Sequence, residues 1–214
     1  MRPDLERKLA VEFIGMFIFM FTVGMATNTA SAGALAPLAI GSALMVMVFA
    51  GGHISGAHFN PAVSLAFVLR RELPVSEAPV YLAMQVSGAI AGAWLAHLMF
   101  ELPVIQVATT VRIGFGQWLA EATATFGLLL TIFGCLSGAR AAIPYAVGRY
   151  ITAAYWFTAS TSFANPAVTV ARALSDTFAG IAPGGIAAFV AAQFAGALLA
   201  TMLAIWLWPA RKVA

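Results

Sequence analysis

The sequence predicts an all-α membrane protein of six transmembrane helices plus two re-entrant half-helices, arranged as an inverted repeat. Composition is the first observation behind this. Apolar residues make up 62% of the chain and charged residues 9%, with a mean hydropathy of +0.92, against about 25% charged residues in a soluble domain. A chain this apolar cannot present a wetted surface. At 214 residues, six spans of ~20 residues with short links nearly exhaust it and leave no sizeable soluble domain. The other two observations are a series of long apolar stretches and a set of landmarks that recur in the second half.

The long stretches lie at roughly 9–29, 36–54, 79–100, 117–136, 141–158 and 184–208. Each is expected to be helical, because a lone span must satisfy its own backbone hydrogen bonds. The opening MRPDLERK carries charges of both signs. The apolar run after it is too long for a signal-peptide core and has no clear small-residue cleavage site, so it reads as a retained first span. Two further apolar pieces, 60–70 and 165–174, are too short to cross, and each begins with Asn-Pro. Cys135 is the only cysteine, so no intramolecular disulfide can form, and its apolar setting favours packing over reactivity.

The halves repeat. Glu12 opens the first span and Glu121 the fourth; Asn60 starts NPAVSLA and Asn165 starts NPAVTVA; Gln85 begins QVSGAIAGAWLA and Gln193 begins QFAGALLATMLA. The offsets are 109, 105 and 108 residues, which argues for internal duplication. The chain therefore reads as one channel-sized domain over 1–214 with half-repeats of roughly 1–104 and 105–214. Each half holds three spans, an odd number, so the second half enters from the opposite side. Arg2, Arg7, Lys8, Arg70, Arg71, Arg140, Arg211 and Lys212 then all fall on one side, and only Arg112 and Arg172 on the other. By the positive-inside rule the first side is cytoplasmic. The expectation is a multi-pass protein of the cell (inner) membrane with both termini cytoplasmic.

Asn-Pro-Ala at a helix start has a physical logic. Asn is a strong N-cap and Pro is pre-organised for the first helical turn. A short helix starting at mid-membrane presents its positive dipole end there. Two such helices, at Asn60-Pro61-Ala62 and Asn165-Pro166-Ala167, would meet end to end. Their amides would offer donors to water while the local field repels protons and metal cations. One such tripeptide is an ordinary capped helix. Two, each followed by Val and set in an inverted repeat, form a specific signal.

HISGAHFNPAVS at 53–64 and SFANPAVTVAR at 162–172 resemble the signature loops of the major intrinsic protein family, the aquaporins and glycerol facilitators. The resemblance covers nearly the whole chain. It implies a right-handed bundle of six helices and two half-helices, one pore per subunit, and usually a homotetramer in membrane lipid. It also implies that Glu12, Gln85, Glu121 and Gln193 support the pore-lining loops; the alternative is that they are interfacial polar residues.

The selectivity filter departs from the family pattern. Where Arg usually follows the second Asn-Pro-Ala, this chain has Val168. By the family's spacing the other filter positions are Ile40, Ala153 (or its neighbour Thr152) and Ser162, which leaves no aromatic, His or Arg. The chain is similar here to a bacterial subgroup with NPAVT-AR in the second loop, some of whose members are associated with arsenic resistance and pass neutral metalloid acids. Two arginines are candidate pore cations. Arg172 is one turn beyond Val168 on the same helix face. Arg149, four residues before Ala153, is one turn deeper on the fifth span, and an ionisable residue within a span is a functional candidate. The alternative for Arg149 is a snorkelling side chain satisfied near the cytoplasmic end, and for Arg172 a structural bond to nearby carbonyls.

Other features carry less. His53 and His58 suit packing and loop hydrogen bonds better than a metal, since no carboxylate or thiol is near in sequence. His97 reads as a core residue. Gly88 and Gly92 form a small-xxx-small step that marks a close helix crossing. No nucleotide loop, nucleophile triad or basic nucleic-acid patch is present, and no cofactor or metal is expected.

The function expected is a passive channel for water and small uncharged solutes, glycerol-like polyols or metalloid hydroxides such as arsenous acid, with protons and ions excluded. An ion-coupled secondary transporter also uses inverted repeats and half-helices, but the spans hold no carboxylates besides Glu12 and Glu121. An intramembrane enzyme is disfavoured by the lack of a paired acid–base or metal constellation.

Overall fold

The computed structural model describes residues 3–28 and 34–209; Arg2, Arg211 and Lys212, used above to orient the chain, lie outside them. Eight α-helices are described: α1 Pro3–Asn28, α2 Ala36–Ser55, α3 Pro61–Leu69, α4 Ala78–Met99, α5 Phe115–Gly138, α6 Ile143–Phe157, α7 Pro166–Arg172 and α8 Ile186–Leu207. The six long ones coincide with the six apolar stretches, and α3 and α7 with the two short pieces. Four of them, α2, α4, α5 and the stretch Pro183–Leu207, are individually long and apolar enough to cross a membrane. The 26-residue α1 carries Asp4 and Glu6 in its first turn, and α6 has 15 residues behind a 3₁₀ turn at Arg140–Ala142.

Local chemistry sets several starts and stops. Pro lies in the first turn of α2, α3, α4, α6 and α7, where its missing N–H costs nothing. The C-terminus of α2 is closed by Gly56 in the left-handed conformation (φ 89°), its N–H donating to the Gly52 carbonyl, a geometry that glycine adopts without a Cβ penalty.

The helices pack as two matching sets. In the first, α1 lies against α2 and α4, and α3 against α4; in the second, α5 lies against α6 and α8, and α7 against α8. The sets interlock through α2 with α6, α4 with α7, α3 with α8, and α3 with α7. This is the inverted repeat realised in space. Small residues allow the close crossings. A Cβ on Gly88 or Gly92 would strike the Phe13 or Phe17 carbonyl of α1, and one on Gly196 would strike the Ala122 carbonyl of α5. The predicted step at Gly88 and Gly92 is thus the α1–α4 contact.

Charge separates along the bundle. At one end Lys8 pairs with Glu77 at 3.7 Å, and Arg70 bonds Glu72 while its guanidinium stacks on Phe133 at 4.5 Å. At the other end Arg112 and Arg172 both sit over the Phe163 ring, at 5.2 and 3.4 Å.

Candidate functional site: a central cavity between two half-helices

The half-helices α3 and α7 begin at Asn60 and Asn165, each with an extended backbone and a side-chain oxygen that accepts from the N–H two residues on, Ala62 or Ala167, at 2.9 Å. Each amide nitrogen then reaches across. Asn60 Nδ2 donates to the Ala164 carbonyl and Asn165 Nδ2 to the Phe59 carbonyl, both at 2.7 Å. The two caps are therefore locked to each other's loops, and the positive ends of the two helices face one another.

The loops before the caps carry unusual backbone. Ala57, Phe59, Ser162 and Ala164 all have φ of 48–49°, a left-handed conformation that costs a residue with a Cβ roughly 1–2 kcal/mol. Buried carboxylates hold it. Glu12 accepts from the His58 and Phe59 N–H groups at 3.0 and 2.7 Å, and from Ser55 Oγ. Glu121 accepts from the Phe163 and Ala164 N–H groups, both at 2.8 Å. Gln85 donates to Glu12 and Ser64, while Gln193 donates to Glu121 and Thr169. All four predicted loop residues are fully buried and sit in these two matching networks. Ser64 and Thr169 were not singled out in the sequence, although they share the Asn60–Asn165 offset.

Between the loops runs a narrow cavity of about 70 Å³, several times the ~10–15 Å³ that one water needs on this measure. Both Asn caps, both loops, Ile40, Leu44 and Val48 of α2, and Ile143, Val147, Ile151 and Tyr155 of α6 line it. Of the predicted filter residues, Ile40, Ser162 and Val168 line the cavity, and so does Arg172.

Two predicted residues do not. Ala153 and Arg149 are both exposed on the outside of α6 and absent from the lining. Thr152, the neighbouring choice, is half-buried and donates to the Pro37 and Gly148 carbonyls at the α2–α6 contact. The inward face of α6 is the four-residue series 143, 147, 151, 155. The family spacing misses it by two residues at Ala153, and Arg149, four residues earlier, inherits the same error. With Tyr155 and Phe163 in the lining, the cavity is neither free of aromatics nor free of cations.

Arg172 is buried, donates through Nε to the Ala179 carbonyl, and lies 3.4 Å above the Phe163 ring. Arg112, unassigned in the sequence beyond its side of the membrane, ties the connecting loop to the same region through the carbonyls of Gly180 (2.8 Å), Phe178 (2.9 Å) and Ser160 (3.4 Å). Thr109 reinforces that docking by donating twice to Asp176, which holds the Asp176 carboxyl below the usual carboxylate range. Of the histidines, His58 also lines the cavity. His58 bonds Ser64 and packs on Phe67, His97 joins Val104 and Ser175, and His53 is exposed.

Two half-helices locked cap to cap around a narrow cavity, inside a bundle of apolar spans, define a membrane channel rather than an enzyme. The family model for "Major intrinsic protein" matches residues 2–145. The aquaglyceroporin AqpS of Rhizobium meliloti (strain 1021) is 48% identical over 98% of this chain and 94% of its own length. The rice (Oryza sativa subsp. japonica) aquaporin NIP2-1 is 33% identical over 84% of this chain, which spans 64% of that longer relative. Among solved structures, the aquaglyceroporin from Plasmodium falciparum superposes with a TM-score of 0.76 at 20% identity, covering 93% of this chain and 95% of that one; at that identity the likeness speaks for the fold. The chain belongs to the major intrinsic protein family.

Proposed function

We propose that the chain is a passive channel for water and small uncharged solutes, with glycerol-like polyols and metalloid hydroxides such as arsenous acid among them. The observation that carries this is the cap-to-cap meeting of Asn60 and Asn165 at the cavity, each amide spending one N–H on the opposite loop. Asn60 keeps its second for a passing solute, and the second of Asn165 meets only the weak thioether acceptor of Met16 at 3.9 Å, which a solute oxygen can displace. Two positive helix ends at one point oppose protons and metal ions. The relative from Rhizobium meliloti carries the name aquaglyceroporin, which supports a solute range beyond water. Val168 in the lining supports it too, because an aliphatic side chain takes less room than a guanidinium. Among the described residues no carboxylate lines the cavity, and both Glu12 and Glu121 are engaged by loop N–H groups, so ion coupling lacks ligands.

In this reading the 214 residues form one channel unit, placed in the cell (inner) membrane with both termini cytoplasmic and assembled as a homotetramer. Purified protein in vesicles without any ion gradient should pass water, glycerol and arsenous acid while keeping a proton gradient intact. Val168→Arg should cut solute flux well below water flux. Uptake that requires a proton or sodium gradient, or a wild type that passes water alone, would refute the proposal.

A further inference from the structure

Among the described residues, eight buried side-chain polar atoms have no hydrogen-bond partner, and four of them belong to residues that line the cavity: Tyr155 Oη, Thr161 Oγ1, Ser162 Oγ and Arg172 Nη2. Buried polar groups are normally paired, and one left unpaired costs about 1–3 kcal/mol. Four around one segment of a cavity therefore have a common physical reason. Ser162 and Arg172 are 7% and 3% exposed, so the partner such groups find is whatever occupies the cavity they line. The four come from three separate places in the chain, the end of α6, the loop before Asn165 and the end of α7, and converge beyond Val168 on the Arg112 side. Arg172 is fixed there by its Nε bond to Ala179 and by Phe163 beneath it, which leaves Nη2 as a rigid donor.

We propose that these four groups form a polar collar that binds small multi-hydroxyl solutes as they enter, with Arg172 supplying from one turn further along the helix the cation that Val168 does not supply. The proposal rests on the channel reading and deepens it. One guanidinium N–H donates, and three hydroxyls donate or accept as the solute requires. A neutral solute with two or three hydroxyls can satisfy several at once, replacing its hydration shell. A monovalent metal cation meets a guanidinium instead. Selectivity among neutral solutes is then set by hydroxyl count as well as by width.

The test compares glycerol, propane-1,3-diol and propan-1-ol, three solutes of similar width with three, two and one hydroxyls, in vesicles holding wild type, Tyr155→Phe, Ser162→Ala or Arg172→Lys, each flux taken as the excess over protein-free vesicles of the same lipid. The first two substitutions remove a hydroxyl with little change of shape. Each should lower glycerol flux about 2- to 10-fold, the loss expected for one hydrogen bond, while propan-1-ol flux stays within twofold. The glycerol-to-propanol ratio should fall accordingly. Arg172→Lys moves the charge off the Phe163 ring and should lower the ratio further. A purely steric neck would leave the ratio unchanged in both Tyr155→Phe and Ser162→Ala, and that result overturns the collar even if Arg172→Lys fails to fold. A wild type that adds nothing to the glycerol and propane-1,3-diol flux of protein-free vesicles would instead bring down the channel reading on which the collar rests.

Discussion

At the scale of single residues, Asn165 carries three tasks through one side chain: it caps α7, bonds the Phe59 carbonyl at 2.7 Å, and fixes the loop that continues into the cavity. Asn165→Ala removes a cap bond, about 1 kcal/mol, and leaves the buried Phe59 carbonyl without this donor, about 1–3 kcal/mol more. Apparent melting in detergent should drop by several degrees, and water flux per channel should fall at matched membrane abundance. An Asn165→Ala protein that conducts water and solute as well as wild type would remove the caps from the mechanism.

At the scale of elements, the half-helices are held from outside by spans that approach each other closely. The α1–α4 crossing depends on Gly88 and Gly92, which place backbone against backbone beside the Phe13 and Phe17 carbonyls. Glu12 and Gln85, the pair that fixes the first loop, sit on those two helices and are bonded at 2.8 Å. Spreading the crossing therefore also opens the loop network. Gly88→Leu should destabilise by more than the ~1–3 kcal/mol of ordinary overpacking, because the obstacle is a carbonyl rather than a mobile side chain. The expected result is little folded protein in detergent, measured by size-exclusion recovery, whereas Gly52→Ala, where an added Cβ meets nothing, should behave as wild type.

At the scale of the whole molecule, the outer surface is broadly apolar, with Trp206 76% and Met202 61% exposed on α8 and Trp156 56% exposed on α6. Lipid satisfies such faces without a partner, so surface apolarity does not by itself set the assembly. The homotetramer is the expectation that accompanies a family fold with one pore in each subunit. Mass measurement of the protein in lipid nanodiscs should give four subunits per particle, and particles holding single subunits would remove that part of the proposal. Function per subunit would survive that outcome, because the cavity is lined within one chain.

The sequence alone determined the six spans, the two Asn-Pro helices and the repeat with its recurring Glu and Gln landmarks, because each is written locally or by a constant offset; that each Glu bonds the Gln of its own half is seen only in the structure. Hydropathy over ~20 residues marks a span, Asn-Pro marks a capped start, and a duplicated motif declares its partner by spacing. What only the tertiary structure decided is which way a side chain on a span points. Each residue along a helix turns the direction by about 100°, so a count that runs two residues off, at Ala153 instead of Tyr155, lands on nearly the opposite face. That single rotation took Arg149 out of the cavity and brought in Tyr155. The apolar series Ile143, Val147, Ile151 was the signal that could have fixed it, but α6 is apolar on its lipid side as well, and hydropathy does not tell lumen from lipid. The roles of Arg112 and Phe163 were hidden for a different reason. Their partners are loop carbonyls and each other's neighbours, brought together only when the connecting loop folds over the end of α7, and nothing in their own sequence surroundings records that meeting.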